Sequence, residues 1–186
     1  MNNSNLHNSD LDNSDLEDSD LSDYGCAVRK FVDFRSWQNP VALSLTFRQC
    51  IRPEPYHRRV WVDEIAASQD LNHLSNTINA KLIGRNQRRC GGRLGFFAVI
   101  ERDQKTRLHA HALVECPDER KIDYLERLVA KHWPQTRWGY RQIVVKPCNK
   151  LWLRYMTKLQ TKADYMTAHD WSVLRLPEKE KILTKH

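Results

Sequence analysis

The sequence has no run of about 18 apolar residues, and it opens with neither a basic start nor an apolar stretch, so neither a membrane span nor a signal peptide is expected. Its five cysteines (Cys26, Cys50, Cys90, Cys116, Cys148) are odd in number, far apart and never arranged as CxxC. That pattern excludes a thiolate zinc motif and argues against a disulfide framework. No GxxxxGK[ST] occurs, so no phosphate-cradling nucleotide loop is expected. The expectation is a reduced, cytoplasmic protein that makes no membrane contact.

Positive charge is missing from the first 28 residues, which hold seven acids (Asp10, Asp12, Asp15, Glu17, Asp18, Asp20, Asp23) and no Lys or Arg. The whole chain has 30 basic and 23 acidic residues, so beyond residue 28 there are 30 basic residues against 16 acidic ones, a net charge of +14. Such a surface suits a polyanionic partner. The opening tract, MNNSNLHNSDLDNSDLEDSDLSD, is a low-complexity NSDL-like repeat that cannot bury enough apolar surface to offset its ordering entropy. Residues 1–28 are therefore expected to form a disordered acidic tail. With 186 residues, 40% of them hydrophobic, the remainder suits one domain over 29–170 and a short C-terminal tail over 171–186.

Periodicity supplies the elements of that domain. VALSLTFR (41–48), between Pro40 and Pro53, reads as a strand. A helix follows, with Asp70 as its expected N-cap, Leu71, Leu74, Ile78 and Leu82 on one face, and Gly84 just past its end. LGFFAVIE (94–101) and RLHAHALVE (107–115) read as a hairpin across the polar link RDQKT. Pro117 and Asp118 open a second helix with Ile122, Leu125, Leu128, Val129 and His132 on its apolar face. RWGYRQIVVK (137–146) gives a fourth strand, and Asn149 caps a last helix carrying Trp152, Met156, Leu159, Ala163 and Met166 at helical spacing. The order βαββαβ plus a helix predicts an α+β fold of the split βαβ type, as in ferredoxin-like and RNA-recognition-motif domains. An antiparallel sheet would carry its helices on one face and leave the other free.

Within RLHAHALVE, His109 and His111 point to the same side of a strand while Ala110, Ala112 and Val114 suit burial beneath helices. Two imidazoles on one rigid strand begin a metal site, although with eight histidines in the chain a chance HxH is a competing reading. Glu101 completes the set only if the hairpin pairs 101 with 109 and 99 with 111, which demands an odd connection or a bulge. Two imidazoles and a carboxylate suit Mg²⁺ or Mn²⁺, and Zn²⁺ less well without thiolates. On the last helix Tyr155, Lys158 and Lys162 line one strip. Tyr155 is either the amphipathic edge of a core or a nucleophile whose phenolate is favoured by basic neighbours.

Taken together, the LSLTF strand, the HAH at 109–111 with Glu101 eight positions earlier, and the YMTK at 155–158 resemble the three motifs of the HUH endonuclease superfamily. More narrowly, they look like the nuclease domain of single-tyrosine rolling-circle replication initiators, over roughly residues 41–166. The resemblance implies that Glu101, His109 and His111 hold a divalent cation against the scissile phosphate of single-stranded DNA, at an origin or hairpin. Tyr155 would form a 5′-phosphotyrosine and release a 3′-OH, and Lys158 would orient the tyrosine or the phosphate. Tyr165 lies ten residues from Tyr155, too far for the paired arrangement of two-tyrosine relatives. A helicase and polymerase would come from the host.

Basic loops are the expected DNA contacts. GRNQRRCGGRLG (84–95) supplies Arg85, Arg88, Arg89 and Arg93, and FRQCIRPEPYHRR (47–59) supplies Arg48, Arg52, Arg58 and Arg59 with Tyr56. Lys162 is a further candidate. Three other readings stand beside this one: a single-tyrosine transposase or relaxase with the same chemistry, an RNA-binding module on the same fold plan, and an interaction protein with a chance HxH. The RNA-binding reading expects aromatics where the third strand has histidines.

Overall fold

The computed structural model describes residues 23–55, 58–84, 91–102, 107–158 and 168–177. Its elements in chain order are α1 (Asp23–Val32), β1 (Val41–Phe47), β2 (Cys50–Ile51), β3 (Val60–Trp61), α2 (Glu64–Leu82), β4 (Phe96–Glu101) and β5 (His109–Val114). These are followed by α3 (Ile122–His132), β6 (Gly139–Pro147) and α4 (Lys150–Met156). Four strands form one antiparallel sheet in the order β4-β5-β1-β6, which is the split βαβ arrangement expected from the periodicity. β2 and β3 form a separate two-stranded ribbon that periodicity did not reveal, because two residues per strand leave no alternation to read.

One sheet face carries the main core. Leu43, Leu45 and Phe47 of β1, Ala98 of β4 and Ala110 and Ala112 of β5 pack with Leu71, Leu74 and Ile78 of α2 and Leu125 and Val129 of α3. α2 begins seven residues earlier than expected: Asp63 is the N-cap, its carboxylate accepting the Ala66 N–H at 2.7 Å. Asp70 lies inside the helix instead, buried, and accepts the Trp138 N–H at 2.6 Å. It ties α2 to the approach of β6. Asp70→Ala is expected to cost about 1–3 kcal/mol by leaving that buried donor unsatisfied, measured by urea denaturation. A loss within about 0.5 kcal/mol would show that the contact adds nothing.

The opposite face is not free across its whole width. Phe97 and Val99 of β4 and Leu113 of β5 form a second core with Val28 and Val32 of α1, Trp37, and Leu153 and Met156 of α4. The acidic tract therefore gives way to structure at Asp23 rather than after residue 28: α1 has an acid in its first turn and Arg29 and Lys30 in its last, matching the helix dipole. On the β1–β6 half the face stays uncovered, with Val144 49% exposed and Lys146 exposed.

Residues 168–177, partly assigned to a tail on composition, lie along the outer edge of β4. Phe96 and Arg175 exchange backbone hydrogen bonds at 2.7 and 2.8 Å, Asp170 N–H donates to the Ala98 carbonyl at 3.0 Å, and Val99 bridges His169. The Arg175 guanidinium reaches Asn72, Asn76 and Ser75 of α2, which pins this strap to the first layer. Among the described residues, no helix is long and apolar enough to cross a membrane.

Candidate active site

The β4–β5 hairpin pairs Glu101 with His109 and Val99 with His111, the odd register the sequence required. Antiparallel partners point to the same face, so the carboxylate joins both imidazoles. Gln49 holds the start of β5 in place: its side-chain oxygen accepts the Leu108 N–H at 2.8 Å, and its amide nitrogen donates to the Leu108 and Phe47 carbonyls.

Glu101 Oε2 lies 3.3 Å from His109 Nε2 and 3.8 Å from His111 Nε2, and one ligand atom from each of the three lies within 4.8 Å of the others. Glu101 is 4% exposed and His111 7%. Both Nδ1 atoms are engaged elsewhere. His109 Nδ1 donates to the Arg107 carbonyl at 3.0 Å, which leaves its Nε2 lone pair toward Glu101, and His111 Nδ1 shares a 3.0 Å hydrogen bond with Ser44 Oγ. A metal-binding imidazole is ordinarily oriented through its second nitrogen in this way. The donor set, two imidazoles whose second nitrogens are fixed and one buried carboxylate, fits a divalent cation.

Sequence reasoning missed Ser44. Its signal was a hydroxyl at the alternate positions of an apolar strand, between Leu43 and Leu45. Ser44→Ala is expected to weaken divalent-metal affinity about ten-fold, measured by titration calorimetry with Mn²⁺; unchanged affinity would show that the hydroxyl does not orient His111.

α4 places Tyr155 on this cluster. Asn149 caps the helix as predicted, accepting the Leu151 N–H at 3.0 Å, and Trp152 Nε1–H donates to the Ala112 carbonyl at 3.1 Å, fixing the helix to β5. The Tyr155 ring stacks on Trp152 at 5.4 Å and stands edge-on to His111 at 5.1 Å, with 42% of the residue exposed. Its phenol pKa is raised, first by burial and then by the Glu101 charge. That reverses the expectation of a phenolate favoured by basic neighbours. Lys158 is exposed and lies beyond the helix end at Met156, its N–H donating to the Tyr155 carbonyl at 3.3 Å.

The basic residues divide. Arg48 does not face solvent as a phosphate contact: its guanidinium donates to the carbonyls of Pro134, Thr136 and Arg137 at 2.9, 3.1 and 3.1 Å, holding the turn after α3. Arg52 and Arg93 are exposed, as are Arg58 and Arg59. Arg85, Arg88, Arg89 and Lys162 lie outside the described residues, with Tyr56, Tyr165 and the Leu159, Ala163 and Met166 of the expected longer helix.

Where an RNA-recognition motif would present aromatics, the central strands here offer Ser44 and Thr46 opposite His111 and His109. A carboxylate, paired imidazoles and a tyrosine, met in that chain order and gathered beside one sheet face, define a nuclease domain of the HUH class. Within that class the chain belongs to the replication-associated protein family of the ORF2 type, whose family model matches residues 40–164. No curated protein sequence matches the chain. Among solved structures it is similar to the N-terminal nuclease domain of non-structural protein-1 from minute virus of mice, at 10% identity and a TM-score of 0.32 over 76% of this chain. The present chain spans 65% of that domain, for which Zn²⁺ coordination in the active-site pocket and DNA recognition at the origin of replication are described.

Proposed function

We propose that this domain nicks and rejoins single-stranded DNA through Tyr155 and thereby starts rolling-circle replication. The observation that carries the reading is the juxtaposition of the Glu101–His109–His111 cluster with the ring of Tyr155, 5.1 Å from His111. These three residues would hold a divalent cation, Mg²⁺ or Mn²⁺ by the hardness of the carboxylate and the absence of thiolates. When bound, that ion supplies Lewis-acid stabilisation of charge on the scissile phosphate.

The remaining work falls to the protein. Tyr155 Oη attacks phosphorus, the bond from phosphorus to the 3′-oxygen breaks, and a Tyr–O–P bond replaces it. The phenol proton is released and the departing 3′-oxygen takes one up, so the exchange is balanced without an energy source. The reverse reaction rejoins the strand. Trp152 restricts the tyrosine ring to one orientation, which lowers the entropy cost of attack. Lys158, exposed just past the helix end, is placed to meet a DNA phosphate. The freed 3′-OH would prime synthesis by a host polymerase, with strand separation by a host helicase.

The test is incubation of the protein with an end-labelled pool of random-sequence single-stranded DNA and Mn²⁺, followed by denaturing electrophoresis. A covalent protein–DNA band that EDTA abolishes is expected. Failure to form it with any sequence, or formation in EDTA, would overturn the metal-dependent nickase reading. Repeating the assay across Mg²⁺, Mn²⁺ and Zn²⁺ identifies the working ion.

A further inference from the structure

The half of the second sheet face that α1 and α4 leave open has a composition unlike the rest of the surface. Antiparallel pairing sets Val144 beside Ser44 and Lys146 beside Ala42, on the face that also presents His111. Where the register of β6 shifts, next to Thr46, Tyr140 stands 41% exposed. The Arg107 guanidinium lies over its ring at 5.8 Å.

Arg107 ties this surface to the metal cluster. Its carbonyl accepts the His109 Nδ1–H, while its exposed side chain caps Tyr140. A half-exposed tyrosine, an exposed valine and two cations thus continue directly from the Glu101–His109–His111 cluster across β1 and β6. Ordinary solvent-facing strands do not spend aromatic and aliphatic surface this way. Stacking faces interleaved with positive charge are what a single strand requires, because bases stack on the rings while cations follow the phosphates.

Resting on the nickase reading above, we propose that this uncovered strip is the track for the nucleotides flanking the scissile phosphate. Tyr140 stacks a base, Arg107 holds the ring and the adjoining phosphate, and Lys146 meets a phosphate farther along. Tyr140 and Arg107 act as substrate-positioning residues, and the strip selects single-stranded over duplex DNA because a paired base cannot lie on the ring.

The test separates binding from chemistry by measuring fluorescence anisotropy of a labelled single-stranded oligonucleotide in EDTA, where no nicking is expected. Tyr140→Ala is expected to weaken binding roughly ten-fold and Tyr140→Trp to restore it. Lys146→Ala should lower the slope of log affinity against log salt by about 0.7, the loss of one phosphate contact on a single strand. Thermal melting of each variant confirms folding. Equal affinity of wild type and Tyr140→Ala overturns the inference, as does failure of Tyr140→Trp to restore binding, or a duplex bound as tightly as the single strand. If the oligonucleotide is bound through Tyr140 but no covalent band ever forms, the track stands and the nickase reading falls. If the band forms and Tyr140→Ala binds normally, the reverse holds.

Discussion

Tyr155→Phe should eliminate the covalent protein–DNA band, at least a thousand-fold below wild type, while leaving the fold intact. The variant keeps the ring that stacks on Trp152 and meets the edge of His111, and removes only the hydroxyl. Loss of an oxygen from a side chain 42% exposed changes stability by no more than about 0.5 kcal/mol. Loss of the attacking atom removes the reaction path itself rather than part of its stabilisation. Denaturing gels and a thermal melt on the same sample decide the matter. A band that persists in the Phe variant would move the nucleophile to another residue, with Tyr165 the first to test.

The second large effect belongs to Glu101. It is the sole anion of the cluster and 4% exposed, and it faces both imidazoles. Glu101→Gln keeps the shape and deletes the charge, so divalent-cation affinity is expected to fall at least a hundred-fold. A native-state ligand stabilises by about 2.7 kcal/mol at 100 times its dissociation constant. Wild type should therefore melt measurably higher in Mn²⁺ than in EDTA, and the Gln variant should not. An equal shift in both would remove Glu101 from the site.

Glu101 also explains why the tyrosine is held back. Its charge, after burial, raises the Tyr155 pKa, so without a cation the phenol stays protonated. A cation seated on the carboxylate cancels that charge. The group that opposes the nucleophile in the empty site is thus the group that recruits the ion favouring it. In metal-free protein, Glu101→Gln should lower the Tyr155 pKa toward that of an ordinary phenol, detectable by ultraviolet titration against Tyr155→Phe.

The hairpin was legible because its information is local: side-chain parity in a strand is fixed by counting, and one register alone brings Glu101 to His109. The four-strand order followed from alternation and helical spacing. Asp70 misled because an aspartate before an apolar repeat looks like a cap, whereas its true partner, the Trp138 N–H, is 68 residues away. α1 was hidden by the acidic composition leading into it, and its apolar pair Val28 and Val32 has meaning only against Phe97 and Val99. Arg48 reads as any exposed arginine until the carbonyls of 134–137 turn toward it. Each of these depends on partners far along the chain, which local periodicity does not encode.

The strap along β4 has a consequence for the order of assembly. The Glu101–His109 pair closes over eight residues, whereas the Val99–His169 bridge closes over seventy, and α4 lies inside that larger loop. Closing the longer loop costs more entropy, and contacts of high sequence separation form more slowly. The folding chain therefore gains its cation ligands from a local hairpin before the segment bearing Tyr155 is fastened at both ends. A nascent chain acquires a metal-binding hairpin first and a nucleophile last, so the reactive constellation is completed only once the fold around it exists.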